Sequence, residues 1–180
     1  MSNPYQAPTA ELSPIVAAET LQRRTTAARL SGVGLSIVLI GGGFWSLMVV
    51  GSLASFRESP PAAGVSWLSL IITLCACATT VGGGLSLWRL HPLARWLVLP
   101  LGLLSLVGMP LVPVVVGFAI WWSWSPMGRT VLSPEGAKLR ADNADERPPQ
   151  REWVVSFLLS AAVIGAVQPL AFFVMMVLLV

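Results

Sequence analysis

Four long apolar runs dominate the chain, over residues 32–56, 65–88, 96–124 and 153–180, with short polar stretches between them. All four hold no charge across more than about 20 residues, the length a helix needs to cross a ~30 Å hydrocarbon core, and three of them run without a Gly/Pro-rich break at their centre like that of 96–124. The pattern predicts an all-α fold, a polytopic membrane helix bundle with long helices at 32–56, 65–88 and 153–180. The first two, joined by a turn at Pro60, Pro61 and Gly64, form an antiparallel hairpin.

The fourth run, 96–124, is broken in the middle by Gly108, Pro110 and Pro113. As one helix it would be roughly 40 Å long, enough for a tilted crossing. As two arms, 96–109 and 114–124, it gives helices of about 21 Å and about 16 Å, each too short to cross. Proline removes a backbone donor and pushes the residue before it out of the helical region, so Gly-Met-Pro-Leu-Val-Pro is a strong local stop. The block is therefore either a re-entrant hairpin or a kinked fourth span.

Basic residues collect in cytoplasmic loops, and their distribution discriminates between the two. With a single crossing, Arg23, Arg24, Arg29, Arg89 and Arg95 lie inside while Arg57, Arg129, Lys138, Arg140, Arg147 and Arg151 lie outside. With a hairpin, only Arg57 is outside. The hairpin is the expectation, with the N-terminus and the polar loop 125–152 cytoplasmic.

Composition agrees with the membrane class: 55% of residues are hydrophobic and 11% charged, and a water-facing surface could not be built from these. The net charge of +3 is carried beside apolar segments rather than on a clustered basic face, so no nucleic-acid partner is expected. The lipid bilayer is the first partner, with a membrane protein or a second copy of the chain as further ones.

Residues 1–31 are polar and contain Pro4, Pro8 and Pro14, a composition expected to give a flexible arm ahead of a single membrane domain over 32–180. The alternative is a short helix over 15–30, started by Ser13 and Pro14 and lying at the headgroups with Arg23, Arg24 and Arg29 toward lipid. Ser52-Leu53-Ala54 looks like a cleavage site, but the apolar core before it is too long for a signal peptide, so the first helix is expected to be retained.

The opening Asn3-Pro4-Tyr5-Gln6-Ala7-Pro8 resembles the start of a group of small bacterial multi-pass inner-membrane proteins of uncharacterised activity. Such proteins also carry a Trp-Ala-Arg-like motif, a Pro-centred break and a Trp-rich end. His91-Pro92-Leu93-Ala94-Arg95-Trp96, Gly108-Met109-Pro110 and Trp121 to Gly128 look similar. The resemblance implies the inner membrane as compartment and no particular chemistry.

Candidate chemistry is sparse. Both hairpin helices carry a glycine triplet, Gly41, Gly42, Gly43 and Gly82, Gly83, Gly84, expected to let backbones pack closely. Cys75 and Cys77 point to opposite sides of a helix and are expected to pack as small hydrophobes rather than grip a metal. His91, the only histidine, has no positioned partner and is expected at lipid headgroups. In loop 125–152, five acids balance five bases; Ser133-Pro134-Glu135 predicts a short helix to about Arg140, and the acids lack a calcium loop's spacing, so a solvated face is expected. In the last helix, Gln168-Pro169 marks a further break and Gln168 an interhelical hydrogen bond.

No catalytic, cofactor-binding or metal site is expected. The function expected is a structural or accessory, partner-binding membrane component, with a transporter or channel subunit as the alternative. The broken helices favour the alternative, and the lack of ionisable groups inside the spans weighs against it. An enzyme is not expected.

Overall fold

The computed structural model describes residues 14–58, 65–108, 112–142 and 148–179, with side chains over 16–54, 67–103, 115–142 and 148–166. Among the described residues the fold is all-helical. The elements are α1 (Pro14–Ser36), a π-helical stretch (Ile37–Gly42), α2 (Gly43–Glu58), α3 (Val65–Trp88), α4 (Ala94–Gly108), α5 (Val112–Trp124), α6 (Pro126–Val131), α7 (Pro134–Asp142) and α8 (Gln150–Leu179). Among the residues described with side chains, two stretches, Val16–Ala54 and Trp67–Trp88, are long and apolar enough to cross a membrane.

From Pro14 to Glu58 the backbone is one continuous helical rod, roughly 65 Å long. This corrects the flexible arm expected over 1–31: only 1–13 lie outside the described residues, and Ala27, Ala28, Leu30 and Ser31 are buried. Helix propagation is cheap once a turn exists, so the apolar helix that follows extends backward through Ala27-Ala28-Arg29-Leu30 to Pro14, which suits a first helical position. Glu19 and Arg23, one turn apart at 3.6 Å, lie on this extension.

α3 runs antiparallel to the rod. Ser31 Oγ donates to the Trp88 carbonyl at 2.8 Å, Gly34 meets Gly84, Gly41 meets Thr80, and Ser46 Oγ lies 3.8 Å from Cys77 Sγ. The hairpin expected over 32–88 is the geometry found.

The block 96–124 is two helices folded back on each other. Trp96, near the start of α4, and Trp124, the last residue of α5, have ring centroids 5.3 Å apart at 88°, and the Trp124 indole N–H donates to the Arg95 carbonyl at 3.2 Å. Gly108 ends α4, Pro110 lies outside the described residues, and Pro113 is the second residue of α5, where the missing donor costs nothing. Pro100 is accommodated inside α4.

At Pro169 the expected break is corrected, because α8 is helical without interruption from Gln150 to Leu179. An apolar helix offers its backbone no competing partner, so losing one internal bond does not end it. The Gln168 side chain lies outside the described residues.

Within the loop 125–152, the described residues 125–142 are largely helical, and Glu135 and Asp142 are exposed, as expected of a solvated face. α7 begins at Pro134 as expected, and α6 precedes it with the same Ser-Pro-x-Gly start. In each case the serine hydroxyl accepts from the glycine N–H, Ser125 from Gly128 at 3.0 Å and Ser133 from Gly136 at 2.9 Å. Both glycines are needed for space: a Cβ on Gly128 would run into the Trp122 carbonyl, and one on Gly136 into that of Thr130. Val131 and Leu132, at the end of α6, are fully buried.

These elements converge at one end of the molecule. Leu30, Ile37, Leu87, Val98, Val116 and Leu132, from five different elements and the turn after α6, belong to one core there. Arg140 ties α7 to it, donating to the carbonyls of Val131 at 2.7 Å and Leu90 at 3.3 Å. Toward the far ends of α2 and α3 the apolar side chains turn outward, among them Leu47, Val50, Leu68 and Ile71.

Candidate functional site

Close approach of α1 and α8 creates a concavity. A Cβ on Gly32 would stand 2.7 Å from the Trp153 carbonyl oxygen, so the two backbones touch at that level. Beside this contact, α1, α5 and α8 leave a groove of about 330 Å³. Its mouth is charged: Arg29 Nε lies 3.9 Å from Glu152 Oε2, and the Arg29 guanidinium stands 5.6 Å from the centre of the Trp122 ring. Behind the mouth the walls are Val33, Val115, Phe118, Val155, Leu159 and Val163, joined by Ser156 and Ser160. The Ser160 hydroxyl turns back onto its own helix, donating toward the carbonyls of Ser156 at 2.7 Å and Phe157 at 3.1 Å. The groove thus offers one cation, one anion and an apolar channel.

Around the same end runs a band of indoles and guanidiniums. Arg95 stands over Trp96 at 5.8 Å and Arg129 over Trp124 at 5.6 Å, and Arg129 Nε–H donates to the Trp124 carbonyl at 3.0 Å. A second, polar cleft of about 350 Å³ opens on the α6–α7 side, bordered by Arg23, Arg129, Ser133 and Glu135.

The two glycine triplets are used unequally. A Cβ on Gly84 would lie 2.8 Å from Val38 Cγ2 and 2.9 Å from the Gly34 carbonyl oxygen; on Gly41 or Gly42 it would meet Thr80 or Val81 at 3.0 Å. Gly83 makes ordinary contact with Leu101 of α4, whereas Gly43 and Gly82 face open space. Packing through Gly43 and Gly82 is therefore corrected. The tighter sites, Gly32 and Gly34, stand outside the triplets, and their one sequence signal is the Ser31-Gly32-Val33-Gly34 run of small residues at the start of the first apolar stretch.

Cys75 is exposed and Cys77 half-buried beside Ser46. His91 sits in the α3–α4 turn, its Nδ1 accepting from the Leu93 N–H at 3.2 Å, next to Leu90 in the left-handed region at φ 52°. Among the described residues, no three His, Cys, Asp or Glu side chains gather at one point. Of the groove residues the sequence singled out Arg29 alone; Trp122, Glu152 and Leu159 come together only through the fold. Comparison with protein-family models, curated proteins and solved structures gives no match.

Proposed function

We propose that the chain is an integral inner-membrane protein with a cytoplasmic N-terminus, whose α4–α5 hairpin is re-entrant from the cytoplasmic side, and that it serves as a structural or accessory component binding another membrane protein. The observation that carries the placement is the meeting of Trp96 with Trp124. It brings both ends of the hairpin, and hence the Ser-Pro-x-Gly loop, to the end where Arg23, Arg29, Arg89 and Arg95 lie, while Arg57 stands at the other end of the rod. That asymmetry suits the positive-inside rule.

The apolar surface supports the same reading. Trp67 and Trp88, both exposed, stand about 32 Å apart along α3, matching a ~30 Å core with an indole at each interface. Leu47 is 74% exposed, Leu68 59% and Ile71 55%, a degree of apolar exposure that lipid satisfies and water does not.

Partner binding is favoured by chemistry that is confined to packing surfaces and headgroup-level charges. Affinity capture of the tagged full chain in mild detergent tests it: a membrane protein co-purifying in fixed ratio is expected. Elution alone, together with solute flux in reconstituted vesicles, would replace it with the transporter or channel reading that the half-length hairpin helices favour.

A further inference from the structure

The groove between α1, α5 and α8 has the dimensions and the charges of a place for one lipid. Given the membrane placement proposed above, we propose that it binds a single aminophospholipid of the cytoplasmic-side leaflet. The lipid phosphate sits on Arg29, its primary ammonium on Glu152, and one acyl chain lies along Val33, Phe118, Leu159 and Val163.

Depth is the first reason. From Glu152 to Val163, α8 rises about 17 Å, close to half of a ~30 Å core and so to the thickness of one leaflet. Level is the second. Arg29 lies half a turn before Ser31, whose hydroxyl bonds the Trp88 carbonyl, and its guanidinium stacks over Trp122, so the mouth is at the indole band where headgroups lie.

Charge is the third. Arg29 and Glu152 face each other at 3.9 Å with side chains 46% and 41% exposed, and ion pairs so exposed hold weakly. A zwitterion carrying the same two charges in reverse replaces that pair without stranding either group. The phosphate gains a guanidinium, which suits it in shape as well as charge. The ammonium of phosphatidylethanolamine donates hydrogen bonds to Glu152, whereas the quaternary amine of phosphatidylcholine has no proton to donate and phosphatidylglycerol brings no cation.

The channel walls favour an apolar occupant, since they are mostly aliphatic and aromatic and the Ser160 hydroxyl proton is already given to its own helix.

The test uses the full chain in phosphatidylcholine vesicles containing a trace of phosphatidylethanolamine with a photoreactive diazirine in one acyl chain. After irradiation, adducts are expected to concentrate on Phe118, Val155, Leu159 and Val163, and to be suppressed by unlabelled phosphatidylethanolamine but not by phosphatidylglycerol. Leu159→Trp, which fills the channel, should cut groove adducts while leaving those on Leu47 and Val50 of α2 unchanged. Glu152→Gln, at an exposed position that folding tolerates, should reduce the preference for phosphatidylethanolamine over phosphatidylcholine by roughly tenfold, the loss expected of one charge-assisted hydrogen bond.

Equal labelling of α2 and the groove would mean ordinary solvating lipid and overturn the proposal. So would a headgroup preference unchanged in Glu152→Gln, or crosslinking of two copies through Leu159→Cys, which would make a second chain the occupant. Resistance to carbonate extraction reads the membrane placement separately, so a dry groove in an integral protein and a protein that is not integral give different results.

Discussion

Gly34 and Gly84 pack backbone against backbone: a Cβ on Gly34 would stand 2.7 Å from the Gly84 carbonyl oxygen, and one on Gly84 2.9 Å from that of Gly34. The clash is with main chain, which cannot turn aside as a side chain does. Gly34→Ala or Gly84→Ala should therefore lower the melting temperature of the detergent-solubilised protein, at a cost of about 3 kcal/mol for each overpacked contact. Gly43→Ala and Gly82→Ala, with nothing within 4 Å, should instead gain about 0.5–1 kcal/mol from reduced backbone entropy in the unfolded chain. Equal melting of all four variants would show that the α1–α3 contact does not depend on these glycines.

Two buried serines on different helices should respond oppositely to loss of their hydroxyls. Ser123 is fully buried in α5, and its Oγ has no hydrogen-bond partner among the described residues, so Ser123→Ala removes a desolvated group and should leave stability unchanged or raise it by about 1 kcal/mol. Ser31 bonds the Trp88 carbonyl between helices, and Ser31→Ala should cost about 1 kcal/mol. Thermal unfolding of the two variants side by side checks the contrast. A destabilised Ser123→Ala would reveal a partner for that hydroxyl.

Arg140 joins three segments, since its guanidinium reaches the carbonyls of Val131 at the end of α6 and Leu90 in the α3–α4 turn. Leu90 holds a left-handed φ of 52°, unfavourable for leucine, and its side chain is buried. Arg140→Gln cannot span both carbonyls. Cleavage of the α6–α7 region by proteinase K should become roughly tenfold faster, as expected when local opening loses one charge-assisted bond, while fragments holding the long apolar helices stay intact. Unchanged cleavage would place the hold of α7 elsewhere.

What the sequence made legible was whatever depends on local chemistry. The bounds of α3, the Ser133-Pro134 start of α7 and the folding back at Gly108 and Pro113 follow from long uncharged runs, a serine cap and proline's missing donor. The misses are cooperative or tertiary. Residues 14–31 look too polar to order themselves, yet they inherit helix from the apolar stretch after them and bury Leu30 against other elements. Glycine triplets are conspicuous in a sequence, but which glycine faces a neighbour depends on helix rotation, and Gly34 and Gly32 prove tighter than Gly43 or Gly82. The groove was illegible for the same reason: Arg29, Trp122 and Glu152 lie on three helices far apart in the chain.

The sidedness of the α6–α7 segment is the sharpest test of the hairpin. Because Trp96 and Trp124 meet, the chain enters and leaves the block at the same end, and Lys138 and Ala141 should share a compartment with Arg23. Ser133 is a poor reporter, since it is half-buried and its hydroxyl caps α7, whereas Ala141 is exposed at the end of that helix. With Cys75 and Cys77 replaced by alanine, Ala141→Cys should resist a membrane-impermeant maleimide in spheroplasts and react fully once the membrane is opened. Ser59→Cys, beyond the far end of α2, should react in both conditions. The expectation rests on two helices of 15 and 13 residues, about 22 and 20 Å long, neither able to cross a ~30 Å core alone. Labelling of Ala141→Cys from outside would put α6 and α7 across the membrane from Arg23. That would require α4 and α5 to straighten into one kinked span, separating Trp96 from Trp124 and breaking the bond from the Trp124 indole to the Arg95 carbonyl.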